Sequence, residues 1–351
     1  MAKKVVHIVW GFRLGGIETM LVNIINEQVM HNIDITLIII NDMIEDSLID
    51  QIDKRVNIVY LKRKPKSRNI IPLIKLNAHL ISINPDVIHC HARSLSEFIL
   101  PFLRKRSIVT IHTTKIRHHI HSIKKFAKVF AISKSVEQEL KNDYGICSEI
   151  VYNGIDFSKI VPRTDFSRKE CFNIVQVGRI TEQKGHFVSI EAIKLLSDIN
   201  IHLDIIGNGE LKEELETMVM KLGLQSRISF LGTKDQQYIF SHLKDYDLLL
   251  QPSVWEGFGL TVVEAMGANI PVAISLIDGM SEIIDNGVYG DYFEAHNSQQ
   301  CAEVIRKIYN AEYDAAHFDK IYSHARQHFN VKRTAIEYIN AYANLTHQTF
   351  E

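Results

Sequence analysis

The run Asp247-Leu-Leu-Leu-Gln251-Pro-Ser-Val-Trp-Glu256-Gly-Phe-Gly-Leu-Thr261-Val-Val-Glu264-Ala-Met-Gly267 decides the reading of this chain. It starts as an apolar strand pattern, passes through a loop with glycines at 257 and 259, and becomes a helical run at Thr261. A strand feeding a glycine-rich turn at a helix N-terminus is an anion site, because unpaired N–H groups and the positive dipole end face the ligand. Two carboxylates, Glu256 and Glu264, stand there with seven residues between them. Carboxylates repel a phosphate, so their task differs: they suit hydrogen bonds from hydroxyl groups. Thr261-Val-Val-Glu264 is also a capping-box pattern, and from this stretch alone both readings of Glu264 stay open.

The same strand, loop and helix order recurs along the chain. Lys4–Trp10 reads as a buried strand followed by Gly11-Phe-Arg-Leu-Gly15-Gly16 and a helical pattern to about Met30. No Walker lysine follows, and the spacing is not GxGxxG. Paired glycines before a helix still let a ligand approach the backbone closely. Strand patterns continue at 34–40, 56–61, 87–90, 108–112, 129–133 and 150–156, with helical stretches between several of them. Alternating strands and helices predict an α/β protein with a parallel, helix-covered sheet.

Around 161–171 the apolar pattern lapses into Pro-Arg-Thr-Asp-Phe-Ser-Arg-Lys-Glu, which reads as a linker. A second alternation follows: strand 172–177, a loop holding Gly178, Arg179, Lys184 and Gly185, strand 201–206, a loop with Gly207 and Gly209, strand 228–231, and strand 247–251. The expectation is therefore two Rossmann-like domains, 1–162 and 163–330, facing a central cleft, with a helical stretch at about 331–351 able to pack back on the first. Arg179 and Lys184 in one glycine loop suit a diphosphate.

At 351 residues, 46% apolar and 23% charged, the chain has the composition of an ordinary globular protein with ample core. No secretory leader or spanning apolar run is legible, and the four scattered cysteines form no CxxC pair, which points to a reducing cytoplasm. The net charge of −1 conceals an asymmetry: residues 1–130 carry 20 Lys and Arg against 10 Asp and Glu, and residues 131–351 carry 20 against 31. A basic front half points to an anionic partner, either a phosphorylated substrate, nucleic acid or a membrane surface. Its basic runs lack interleaved aromatics and any recognisable nucleic-acid motif, which argues against nucleic acid.

The order of motifs resembles the retaining family 4 glycosyltransferases of the GT-B fold. The residues that carry this are Val177-Gly-Arg179 with Lys184-Gly185, Ile206-Gly207-Asn-Gly209-Glu210, Phe230-Leu231-Gly232, the Glu256–Glu264 element with Glu-Gly-Phe-Gly-Leu, and Gly279-Met-Ser-Glu282. In the first half they are Gly15-Gly16-Ile-Glu18, His112, Ser133-Lys-Ser and Asn153-Gly-Ile-Asp156, so about 270 residues take part.

The resemblance implies roles residue by residue. Arg179 and Lys184 would hold a donor diphosphate, Glu256 the donor sugar's hydroxyls and Glu264 the nucleotide ribose. Backbone around Gly257, Phe258, Gly259 and Leu260 would contact phosphate or sugar, as would Gly15 and Gly16, with Gly207, Gly209, Leu231 and Gly232 completing the donor site. His112 would sit beside the donor sugar. Arg93 and Asn153 are acceptor-side candidates. The implied reaction moves a sugar from a nucleotide-sugar, expected to be UDP-linked, to a glycan or lipid-linked acceptor of a bacterial surface polysaccharide. No cofactor or metal is expected, because fixed cations serve the leaving diphosphate and no DxD-type pair stands out. An anionic inner-membrane surface is a further expected partner of the basic half. Rival readings are a nucleotide-sugar epimerase or phosphorylase on the same architecture, and a basic nucleic-acid-binding protein. One departure stands out: where the family often has two glycines and a proline before its last glutamate, this chain has Asp278-Gly-Met-Ser-Glu282.

Overall fold

The computed structural model describes residues 3–13, 15–167 and 169–346. The chain divides into two units, one running to Ile155 and resumed from Phe329, the other Asp156–His328.

The first unit holds a seven-stranded sheet built from β1 (Lys3–Val9), β2 (Ile33–Asn41), β3 (Asn57–Arg63), β4 (Val87–Cys90), β5 (Ser107–Ile111), β6 (Lys128–Ala131) and β7 (Glu149–Ile150). The spatial order is β3-β2-β1-β4-β5-β6-β7, and every pairing is parallel. Strands covered on both faces need apolar side chains in both directions, which is why β5 is buried throughout its Ser-Ile-Val-Thr-Ile sequence. Helix Gly16–Val29 packs against helix Val331–Thr346, whose Tyr338 and Tyr342 are fully buried. Residues 347–351 of the expected C-terminal helix lie outside the described residues.

The second unit repeats the plan with β8 (Phe172–Val177), β9 (Ile201–Ile206), β10 (Ile228–Gly232), β11 (Leu248–Gln251), β12 (Val272–Ser275) and β13 (Asp291–Phe293), ordered β10-β9-β8-β11-β12-β13 and again parallel. Ile174, Leu203, Leu248, Leu250 and Ala273 are buried with side chains from helices His186–Leu195 and Ser298–Asn310. Burying each large aliphatic side chain contributes about 1.5–3 kcal/mol.

Both sheets reverse their order at one place, between β1 and β4 in the first and between β8 and β11 in the second. Open α/β sheets bind ligands beyond the carboxyl ends of strands at that switch point. The loops after β1, β4, β8 and β11 are therefore where side chains of functional interest should lie.

The boundary between the units differs from the expected one. The stretch read as a linker is anchored: Val161 N–H donates to the Phe240 carbonyl at 3.0 Å and Arg163 N–H to that of Ala268 at 2.8 Å. The Arg163 guanidinium pairs with Asp247 at 2.9 Å. Polar residues fixed by partners remote in sequence look like a linker only while those partners are unknown. The division falls at Ile155/Asp156 and His328/Phe329 instead of after 162 and 330.

Candidate functional site

In the second unit the loop after β8 ends in a tight turn, Glu182–Lys184, closed by Gly185 at φ +64°. A Cβ on Gly185 would lie 1.9 Å from the Pro252 carbonyl oxygen, so only glycine lets this turn seat on the loop after β11. Gln183 joins the two loops: its carbonyl accepts from Val254 N–H at 2.8 Å and its amide donates to the Trp255 carbonyl at 3.0 Å. Lys184 and Glu256 are carried face to face, Nζ to Oε2 at 2.5 Å, with side chains only 14% and 15% exposed. An ammonium has three protons, and one ion pair leaves donors for a ligand oxygen.

Gly207, at φ +147°, brings the loop after β9 to the same place, because a Cβ there would fall 1.9 Å from the Gly178 carbonyl oxygen. Gly209 packs on Ile180 in the same manner, and Gly207 N–H donates to the Gly232 carbonyl at the end of Phe230-Leu231-Gly232 at 2.9 Å. Arg179, in this cluster of turns, is exposed, and among the described residues no carboxylate pairs with its guanidinium. Its delocalised charge is open to a ligand.

The helix after β11 starts at Leu260, with Gly259 as N-cap and no side-chain capping bond. The capping box is thus not formed, because the box needs Ser or Thr at the N-cap with Glu three residues on, and here those positions are Gly259 and Val262. Glu264 falls in the second turn. Burial drives its carboxyl up to about 7, and among the described residues no side chain donates to it. Gly257 and the Phe258 ring are buried, and Gly279 supports the loop so closely that a Cβ there would meet the Glu256 carbonyl oxygen at 2.5 Å. The variant Asp278-Gly-Met segment therefore buttresses Glu256 through its backbone.

In the first unit, Gly15 is the extended N-cap of helix Gly16–Val29, and a Cβ on it would come within 2.8 Å of the Glu18 carboxylate. An open pocket of about 250 Å³ is lined by Ile17, His91, Arg93, Thr110 and His112 among others. Arg93 is partly buried with Nη1 unpartnered, and desolvation lowers its pKa. Asn153 is buried with its Oδ1 unpartnered, and it does not line this pocket.

Behind His112 runs a chain of buried polar groups that sequence reasoning missed. His112 Nε2 lies 3.3 Å from His91 Nδ1, His91 Nε2 3.0 Å from His7 Nδ1, and His7 Nε2 2.8 Å from Gln28 Oε1. Gln28 Nε2 donates to the Tyr342 hydroxyl at 3.1 Å, Tyr342 meets His89 Nδ1 at 2.7 Å, and His89 Nε2 meets Thr110 Oγ1 at 2.8 Å. Burial lowers His7 and His112 to about 4, and it holds His89 and His91 well below the usual histidine range, helped by repulsion from their neighbours. Alternation in β4 was the available signal, since His89 and His91 stand two residues apart and so share a face of the sheet.

His7, His89 and His91 are the one group among the described residues that could hold a metal ion, with one ring nitrogen from each within 4.8 Å of the others. All six of their ring nitrogens already have hydrogen-bond partners. Ligation would break that network.

Residues 14–159 match glycosyltransferase family 4, and residues 163–327 match glycosyl transferases group 1. The chain belongs to these glycosyltransferases. Among relatives, this glycosyltransferase is 28% identical over 271 residues to an uncharacterized glycosyltransferase of Methanocaldococcus jannaschii, covering 73% of this chain and 75% of that one. It is 28% identical over 228 residues to the O-antigen biosynthesis glycosyltransferase WclY of Escherichia coli, covering 63% and 62%. With the amylovoran biosynthesis glycosyltransferase AmsK of Erwinia amylovora it shares 29% over 169 residues, covering 46% and 42%. Among solved structures, a glycosyltransferase from Rickettsia africae superposes with a TM-score of 0.83 at 17% identity over 98% of each chain. Anabaena HepE in complex with UDP and glucose gives 0.80 at 20% identity over 97% of this chain and 99% of that one. At these identities the structures speak for the fold, two Rossmann-like units of the GT-B type.

Proposed function

We propose that this glycosyltransferase moves a hexose or N-acetylhexosamine from a UDP-linked donor to a glycan or lipid-linked acceptor in surface-polysaccharide synthesis, with retention at the anomeric carbon and without a metal. The observation that carries the reading is the Lys184–Glu256 pair, held at the switch point of the second sheet by a loop that also carries Arg179. Loss of a nucleoside diphosphate from C1 spreads positive charge over the sugar and negative charge over the phosphate. Fixed cations at the phosphate lower that barrier with no reorganisation during reaction. Arg179 and Lys184 supply two such cations, Glu256 both orients Lys184 and accepts from sugar hydroxyls, and Glu264 accepts from the ribose. His112 contacts the donor sugar, and Arg93 and Asn153 receive the acceptor. Relatives with O-antigen and amylovoran biosynthesis in their names, and a neighbour bound to UDP and glucose, support the choice of substrate class.

The test is a thermal-shift series with UDP, GDP, ADP, TDP and CMP, with and without magnesium, followed by a UDP-release assay. A ligand at 100 times its dissociation constant adds about 2.7 kcal/mol of stability. UDP alone should raise the melting temperature without metal, and UDP should be released from UDP-sugar only when acceptor is supplied. A magnesium requirement, or a response to GDP only, would overturn the metal-free or the UDP part respectively.

One observation favours peripheral membrane contact. Helix Ile71–Ile83 exposes Ile71, Ile74 and Ile81, with Ile70 preceding it and exposed Phe102 on the segment that follows β4. Lys62, Lys64, Lys66, Arg68 and Lys75 are exposed on or just before that helix. Exposed apolar side chains with exposed cations on the same and the preceding segment suit an anionic lipid surface. No described helix is long and apolar enough to cross a membrane. Flotation with anionic but not neutral vesicles, weakened by salt, is the expected result. Equal flotation with both would refute the electrostatic part.

A further inference from the structure

The chain of groups behind His112 has a direction. Gln28 Oε1 can only accept, so His7 donates to it from Nε2 across 2.8 Å. A neutral imidazole carries one proton, so His7 Nδ1 holds a lone pair and takes the proton of His91 Nε2 at 3.0 Å. His91 Nδ1 is then an acceptor, and the 3.3 Å contact is a donation from His112 Nε2–H. What remains on His112 is the Nδ1 lone pair, and that atom is buried without a protein partner.

The other arm is compatible with this orientation of the Gln28 amide, whose Nε2 faces the Tyr342 oxygen. Gln28 Nε2 donates to the Tyr342 oxygen, Tyr342 donates to His89 Nδ1, and His89 Nε2–H donates to Thr110 Oγ1. All four imidazoles then share the Nε2–H tautomer. Turning the Gln28 amide over would reverse the bonds and move the proton to Nδ1 on every ring, so the two polarities exclude each other.

We propose that Gln28, His7 and His91 are positioning residues that fix His112 as an imidazole with its lone pair on Nδ1, able to accept a hydrogen bond from a sugar hydroxyl and unable to donate one there. The identity of the hydroxyl rests on the transferase reading above, whereas the tautomer does not. His112 is the residue that touches substrate. The other three act through it, by passing on the acceptor character of one amide oxygen across three hydrogen bonds.

The test is a two-bond proton–nitrogen correlation spectrum of the full chain labelled with nitrogen-15 histidine at pH 7, with a His112→Gln variant to assign the resonances. His112 Nδ1 is expected in the unprotonated range and Nε2 in the protonated range. Gln28→Glu, whose carboxylate also only accepts, should preserve that pattern. Gln28→Met should move both His112 nitrogens toward the average of two tautomers, a change that a purely structural role for Gln28 does not produce. A protonated Nδ1 in the wild-type protein would overturn the proposal even if the Gln28 variants fail to fold. An unchanged His112 in Gln28→Met would overturn it too. So would a shift of the His7, His89 and His91 nitrogens on adding one equivalent of zinc chloride, which would mark a metal centre instead. No substrate enters the experiment, so failure to release UDP from any donor would refute the transferase chemistry and leave the tautomer result standing.

Discussion

Lys184 and Glu256 meet at 2.5 Å although they stand 72 positions apart in the chain. Each comes from a loop that the other loop holds in place, through Gln183 with Val254 and Trp255. The pair is a structural tie between the two switch-point loops and, in the proposed reaction, the point where leaving-group charge is met.

Breaking the tie from one side leaves a poorly solvated charge alone. Lys184→Met and Glu256→Gln should each lower stability by about 3 kcal/mol, with the double variant recovering part of the loss. Urea denaturation of the four proteins measures the coupling. Turnover should fall about 10²-fold or more in both single variants while the fold survives. Full turnover in either would remove that residue from the site.

Glu264 should make nucleotide affinity depend on pH. Its carboxyl is held up near 7 by burial, so it becomes a pure acceptor only above that value. UDP affinity should be greatest above pH 7 and decline as pH falls through it. Because the folded state binds this proton more tightly than the unfolded chain, stability should drop as pH rises from the usual carboxyl range to 7. Glu264→Gln should abolish the pH dependence of affinity and stabilise the free protein at pH 8 but not at pH 5. Calorimetric titration and melting curves at the two pH values check both parts.

The buried histidines have the opposite sign. Their folded pKa values lie below the unfolded value, at about 4 for His7 and His112. The unfolded chain therefore binds more protons between pH 6.5 and 4, and stability present above 6.5 should be lost as pH falls. Each histidine adds on the order of 1 kcal/mol per pH unit in that window. A His7→Phe, His89→Phe double variant that survives folding should show a shallower acid limb in urea denaturation followed at Trp10.

Gly185→Ala is expected to destabilise by at least about 3 kcal/mol, through a Cβ that would fall 1.9 Å from a carbonyl oxygen at a positive φ. Gly223 also has a positive φ, +68°, but open space around it, and Gly223→Ala should cost about 1 kcal/mol. Melting temperatures of the two variants separate steric contact from backbone preference.

Much of the fold was legible because its buried parallel strands are continuous apolar runs. Ile201–Ile206 and Phe172–Val177 have the bounds their sequences imply. β13 escaped, being three residues long with an exposed Tyr292 at its centre. The donor side could be read because glycines and carboxylates fall within short loops, whereas nothing local couples Lys184 to Glu256. Beyond the alternation of His89 and His91, the histidine network was illegible for a similar reason. Its members come from β1, β4, the end of β5, helix Gly16–Val29 and a helix more than 200 residues further on, and only the sheet order makes them neighbours.

That last helix also sets the order in which the protein can be completed during synthesis. β1, β4 and β5 leave the ribosome early, but the hydroxyl that meets His89 and Gln28 belongs to Tyr342. Until Tyr342 has emerged, the first sheet has an uncovered helix face and His89 lacks one of its two partners. The second unit is contiguous from Asp156 to His328. The half that is translated second can therefore fold while the first lacks its last helix, and a chain truncated before Tyr338 would carry a protease-resistant second unit and a protease-sensitive first.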